Sequence, residues 1–148
     1  MAEHDTINGL IALYRDLNAR VRALPEERLL LEDGKGESVR HVVTRLRDNE
    51  MHFSQALKEA ISGVPIPEAL VHGHNPVIGT ESESDTTAII LSQFGTARES
   101  TLAMVRTLTS DDWDRVEEGG ESIRTRLKEH ITRNNRSMEQ IVGLLGSP

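Results

Sequence analysis

Apolar residues recur every three or four positions along four stretches of the chain, which is the spacing of amphipathic α-helices. The clearest stretch covers residues 122–145, with apolar positions at Ile123, Leu127, Ile131, Met138, Ile141, Val142 and Leu145. Similar patterns predict helices over residues 6–23, 38–62 and 85–108. No convincing strand appears between them. The pattern therefore predicts an all-α fold, with residues 1–148 forming a single four-helix-bundle domain.

Capping and breaking residues support these boundaries. Ser122 can cap the fourth predicted helix, and Ser110 can cap a short turn that contains Trp113, the residue expected to cover one end of the core. Pro25 ends the first predicted helix and begins a short extra turn. Gly63 and the prolines after it end the second helix.

Residues 63–84 read as a linker, because they contain three prolines and three glycines and have no sustained period. A helix of about 25 residues is roughly 37 Å long. An extended linker of about 20 residues can reach well beyond that length. The second and third helices can therefore lie parallel, joined by a long crossover connection.

The composition excludes several classes of function. The formal charge is −7, from 17 Lys and Arg against 24 Asp and Glu, and the basic residues are scattered. We therefore expect binding neither to nucleic acid nor to a membrane surface. Cysteine is absent, which excludes a thiolate nucleophile, a Cys-ligated metal and a disulfide. The N-terminus has no basic start or apolar run, so we expect a cytoplasmic protein without a signal peptide.

Polar residues interrupt the apolar stripes where the helices should be buried. In the fourth helix they are His130, Arg133, Asn134 and Ser137, in the second Arg45 and Asn49, and in the third Arg98. Burying a polar group is costly unless a partner satisfies it. The three arginines therefore need inward carboxylates or an anionic ligand, unless they reach solvent at the edge of the bundle.

The sequence shows little of the ligand spacing that metal sites on helices require. The helical histidines are His41, His52 and His130, and no two of them lie three or four residues apart. His72 and His74 in the linker could chelate a cation but lack a third ligand.

Glu50 and Glu129 come nearest to a pair of carboxylates on facing helices. Such acids usually lie on a solvated face or pair with an arginine. Ser137 has no histidine one turn away to act as its base.

Several features together resemble the DinB-like superfamily of metalloenzymes. The segment SVRHVVTRLRDNE at residues 38–50 is similar to the second-helix signature of that family. Residues 94–115, with Asp112 and Trp113, resemble its third helix and the turn that follows, and Gln140 and Ile141 match the end of its last helix. The resemblance covers nearly the whole chain. It implies an up-down-down-up bundle with a long second connection, and a divalent metal on three histidines.

The chain departs from this pattern at all three ligand positions. The position on the second helix holds Arg45, and those on the fourth hold Arg133 and Ser137. Arginine cannot release a proton to bind a metal. We therefore expect no metal and no cofactor at this site. A relocated zinc or nickel site that uses His52 and His130 is the alternative, although no third ligand is evident.

Three hypotheses for function follow. The first is a metal-free DinB-like binding module whose former metal pocket is cationic or internally salt-bridged, with Arg45 and Arg133 holding a small anionic molecule. Further pocket candidates are Asn49, Arg98, His130, Asn134 and His52. The second, suggested by known family members, is a metal-dependent hydrolase or a thiol-conjugate transferase or isomerase using the relocated site. The third is a structural oligomer; the resemblance favours a homodimer. Whether the chain is an enzyme is left open.

Overall fold

A computed structural model of the chain describes residues 2–63, 85–116 and 120–146. These residues form an all-α fold, as the sequence predicts, and contain an isolated bridge between Val116 and Ser122 but no strand. The helices are α1 (Ala2–Val21), α2 (Glu26–Leu29), α3 (Val39–Ser62), α4 (Thr87–Val105), α5 (Ser110–Asp114) and α6 (Ile123–Gly146). No helix in this part of the chain has the length and apolar character needed to cross a membrane. The predicted linker, with His72 and His74, lies outside the described residues apart from Gly63.

The ends of the two longest helices are set by local chemistry. The Ser38 hydroxyl accepts a hydrogen bond from the His41 N–H at 3.2 Å and caps α3. The Ser122 hydroxyl accepts from the Thr125 N–H at 3.1 Å and caps α6, as predicted. Gly63 follows α3 with φ +72°, a left-handed conformation that favours glycine.

The prediction that Ser110 caps the short helix α5 was wrong by one residue. Thr109 is the cap, because its hydroxyl accepts from the Asp112 N–H while the Asp112 carboxylate accepts from the Thr109 N–H. This reciprocal capping box satisfies two N–H groups, which a serine one residue later would not do. The extra turn predicted after Pro25 is confirmed as α2.

The core consists of two apolar clusters at different levels of the long helices. One lies around Phe94 and contains Leu13, Leu17, Val21, Leu29, Val39, Val42, Val43, Leu46, Ile90, Leu91 and Ile141. The other lies around the buried Trp113 and contains Leu10, Leu57, Leu102, Val105, Ile123 and Leu127. Along α3 the first cluster ends at Leu46 and the second begins at Leu57; along α4 the corresponding residues are Phe94 and Leu102. A level between the two clusters is thus left for other residues.

The four long helices pack against one another, and α5 packs on α6. α3 lies against α4 and α6, and α1 also lies against α4 and α6. At the start of α3 and α4 the Glu26 carboxylate accepts hydrogen bonds from the Thr87 N–H and hydroxyl, each at 3.0 Å, and pairs with Arg40 at 3.2 Å. Arg40 also donates to the Asp85 carbonyl. These contacts tie α2, α3 and the beginning of α4 together.

Two glycines should respond in opposite directions to alanine. Gly63→Ala should lower the free energy of unfolding by about 1–2 kcal/mol, because an L-residue is strained at positive φ. Gly143→Ala should raise it by about 0.5–1 kcal/mol, because Gly143 is an exposed position within α6 with open space around it. Urea denaturation of both variants would measure this, and shifts of the same sign would contradict the assignment.

Candidate functional site

A buried polar network occupies the level between the two apolar clusters. Glu50 comes from α3, Arg98 from α4, and His130 and Asn134 from α6, and none of these side chains belongs to a residue more than 3% exposed. Each lies on the buried face of its helix, between members of the two clusters. The helical periods that build the core therefore also carry these four polar groups into it.

Arg98 is the centre of the network. Its Nε donates to Glu50 Oε2 and its Nη2 to Glu50 Oε1, both at 3.0 Å. This two-point pairing matches the planar fork of a guanidinium to a carboxylate. Nη1 donates to the Leu10 carbonyl of α1 at 2.8 Å, and Nη2 also donates to Asn134 Oδ1. One guanidinium thus contacts groups from α1, α3 and α6, the three other long helices.

Glu50 is held as a carboxylate. Burial raises its pKa, but the hydrogen bond from His130 and the charge of Arg98 outweigh burial, so the pKa of Glu50 lies below its ordinary value of 4.5. His130 Nε2 lies 2.6 Å from Glu50 Oε1. Because an ionised carboxylate can only accept a hydrogen bond, His130 carries a proton on Nε2.

Two phenylalanines cover the network on its apolar sides. The Phe53 ring stacks on the His130 imidazole with centroids 3.9 Å apart and planes 5° from parallel. The Arg98 guanidinium lies 5.1 Å from the centre of the Phe94 ring, within the range of a cation–π contact. The network is therefore closed by aromatic rings as well as by hydrogen bonds.

The charged groups of this network neutralise one another. Arg98 has its countercharge in Glu50, both Glu50 oxygens accept hydrogen bonds, and Asn134 and His130 complete the set. Of the outcomes expected for a buried arginine, the structure gives Arg98 an inward carboxylate. This geometry can hold the helices in a fixed arrangement. It does not offer a charge to a ligand, because the charge of Arg98 is already neutralised by Glu50.

The other predicted site residues lie outside this network. Arg45 is exposed, with its guanidinium paired to Glu37 at 2.5 Å and near Gln140 at 3.4 Å. Asn49 and His52 are exposed on α3, and Ser137 on α6 is partly buried. None of these residues joins Arg98 and Glu50.

Arg133 lies beside a different part of α3 from Arg45. It lines a cavity of about 130 Å³ between α3 and α6, together with Phe53 and Leu57. Phe53 follows Arg45 by eight residues, which is about 12 Å along a helix. Arg45 faces Gln140 instead. The structure therefore does not bring Arg45 and Arg133 to one pocket.

The same cavity is also lined by Arg126, Glu129 and Ala56. Within the described residues, the side chains of Arg126, Glu129 and Arg133 make no hydrogen bond or ion pair with one another or with other groups. Two arginines and one glutamate give the cavity a local excess of one positive charge in a chain whose net charge is −7. Arg126 and Arg133 lie two turns apart along α6, so they can flank one bound group.

The relocated metal site does not assemble in the part of the chain that the structure describes. His130 is buried and bonded to Glu50, whereas His52 is exposed. Across residues 2–63, 85–116 and 120–146, no three His, Cys, Asp or Glu side chains come together in a way that could hold a metal ion.

From the sequence, Glu50 is expected either on a solvated face or as a partner for arginine, and the structure shows the second role, because Glu50 pairs with Arg98. Its position four residues after the buried Leu46 is the signal that could have placed it inward. Arg47, 1% exposed, is not among the predicted site residues. Its Nη1 donates to Gln93 Oε1 at 2.7 Å and its Nε to Asp48 at 3.0 Å.

Breaking the central ion pair should be costly in a characteristic way. Glu50→Gln or Arg98→Met alone should lower the free energy of unfolding by about 3–5 kcal/mol, because each leaves a buried group without its partner. The double variant should lose less stability than the two single losses added together, by about 1–3 kcal/mol. Chemical denaturation of the four proteins measures this coupling. Additive effects would mean that the two side chains do not interact.

The ion pair should also make stability depend on acid. Because the pKa of Glu50 is lowered on folding, its contribution is present above pH 4.5 and is lost as the pH falls through the folded value. The difference in unfolding free energy between the wild type and the Glu50→Gln/Arg98→Met variant should therefore shrink progressively below pH 4.5. All other carboxylates are common to both proteins. A difference that grows on acidification would contradict the assignment.

Comparison of the chain with protein-family models, with curated proteins and with solved structures found no match.

Proposed function

We propose that the four long helices form an up-down-down-up bundle. Contacts between α3 and α4 advance together along both helices, from Arg47 with Gln93 to Glu50 with Arg98. Contacts between α3 and α6 run in opposite senses, because Arg45 meets Gln140 whereas the later Glu50 meets His130. These contacts favour a parallel α3 and α4 with an antiparallel α6.

The contacts of α1 support the same arrangement. The start of α1 meets the start of α6 through Glu3 and Arg124 at 2.8 Å. Against α4 the order is reversed, since the Leu10 carbonyl meets Arg98 while Tyr14 packs on Phe94. With α1 up, α3 and α4 down and α6 up, the connection over residues 63–84 is the long crossover that the sequence predicts.

We propose that this bundle is a DinB-like protein without the family's metal site. The support is chemical: the three positions of the resemblance hold Arg45, Arg133 and Ser137, and two of these are permanent cations. The interior is instead held by the Glu50–Arg98 ion pair. Because this pair is complete in itself, the fold needs no metal to neutralise its buried charges.

We further propose that the protein binds a small anionic molecule in the cavity between α3 and α6. The observation that carries this proposal is the pair of arginines, Arg126 and Arg133, that line it and lack a partner within the described residues. Guanidinium groups pair with carboxylates and phosphates through two parallel hydrogen bonds. Arg45, engaged by Glu37, is not part of this version of the site.

The size of the cavity limits the ligand. About 130 Å³ is room for a few water molecules, and hence for one carboxylate or phosphate group with a short apolar part. Phe53, Ala56 and Leu57 provide an apolar wall on the α3 side. A compact carboxylate or a free phosphate fits this combination better than an extended molecule.

The anion site predicts a specific loss of ligand response. Inorganic phosphate and succinate should raise the melting temperature of the wild type at constant ionic strength, because ligands that bind the folded state stabilise it. Arg133→Met should weaken this binding at least about tenfold, the loss expected for one charge-assisted hydrogen bond. Titration calorimetry and thermal unfolding would measure both effects.

Arg136→Met is the matched control, because Arg136 is an exposed arginine one turn further along α6 that does not line the cavity. It should leave binding unchanged. Equal responses in both variants would exclude the cavity as the anion site.

Stoichiometric zinc or nickel in protein purified without an affinity tag would overturn the metal-free assignment.

A further inference from the structure

We propose that a second, larger groove between α1 and α4 binds an amphipathic organic anion, with its charged group at Arg15 and its apolar tail along Ile11 and Leu102. The groove has a volume of about 530 Å³, within the range of sites for small organic ligands. It is formed by different helices from the cavity that contains Arg133, so it is a separate site.

One end of the groove is shaped by the contact between Tyr14 and Gly95. A side chain at Gly95 would place its Cβ 2.5 Å from the Tyr14 hydroxyl oxygen and 2.7 Å from the adjacent ring carbon. Glycine within a helix costs up to about 1 kcal/mol relative to alanine. Here it lets the Tyr14 ring lie against the backbone of α4. Ser92 and Thr96, one turn apart, are the small residues that leave the groove open beside this ring.

This end of the groove is polar and cationic. Arg15 is exposed and, within the described residues, its side chain has neither a hydrogen bond nor an ion pair. The Tyr14 hydroxyl likewise has no hydrogen-bond partner there. The Ser92 hydroxyl already accepts a hydrogen bond from Arg22 at 3.0 Å. Arg15 and the Tyr14 hydroxyl are therefore the groups at this end that a carboxylate, sulfonate or phosphate head group could contact.

The other end is apolar in its walls and carries compensating charges at its rim. Ile11 and Leu102 line it, with Glu99 and Arg106 also on the groove. Arg98 lines the groove too, but its charge is neutralised by Glu50. The remaining groups of the lining, Arg15, Arg106 and Glu99, carry a net charge of +1 in a chain of net charge −7. An anion with an apolar tail matches both the charge and the walls.

Titration calorimetry with sodium dodecanoate below its critical micelle concentration tests this inference. The wild type should bind one molecule per chain, and affinity should rise from octanoate to dodecanoate by up to about fourfold per methylene. Dodecyltrimethylammonium, with the same tail and the opposite charge, should bind at least about tenfold more weakly. Equal binding of the two probes, or no dependence on tail length, would overturn the proposal.

Variants then locate the two ends of the ligand. Arg15→Met should weaken dodecanoate binding about tenfold, whereas Arg106→Met, at the far end, should weaken it less than about threefold. Thr96→Phe should block the groove while keeping every charge, and circular dichroism should confirm that it remains folded. Arg133→Met should bind dodecanoate like the wild type. Unchanged binding in Arg15→Met or Thr96→Phe, or an equal loss in Arg133→Met, would overturn the assignment.

Discussion

The fold depends on a single ion pair at its centre. Arg98 and Glu50 are almost completely buried, and together they contact α1 through the Leu10 carbonyl and α6 through Asn134 and His130. Buried ions are costly to desolvate, and their attraction compensates only when the geometry is good and the remaining donors are satisfied. The two-point pairing and the additional hydrogen bonds meet both conditions. The rest of the helical packing is arranged above and below this level.

This polar level also restricts how the helices can be aligned. Apolar stripes alone tolerate sliding of one helix along another, because many apolar contacts are interchangeable. A guanidinium with acceptors on three other helices does not tolerate it, since a shift of one turn would leave buried charges without partners. We therefore regard the network as a device that fixes the register of the long helices, a role attested for buried polar groups in other helical proteins. It also explains why the interior itself is a poor ligand site.

The long helices were predictable because their apolar period is local information. The four segments were identified to within about four residues at each end, as was the cap at Ser122. Errors arose where two residues compete for one role, as with Thr109 and Ser110. The anion site was harder to predict. Arg45, Arg98 and Arg133 all lie near apolar stripes, yet the first is exposed, the second buried and the third lines a cavity.

The sequence by itself determined that the chain is all-α, because the apolar period is a property of the residues. It also limited the arginines near the apolar stripes to a carboxylate, an anionic ligand or solvent, because their charge is permanent. The tertiary structure alone decided that Glu50 serves Arg98, because α3 and α4 lie side by side. The pair of Glu37 and Arg45 is local, since Glu37 precedes the cap of α3 and Arg45 lies in its second turn. Side chains 48 residues apart in the chain meet only through packing, and neither spacing nor composition encodes that distance.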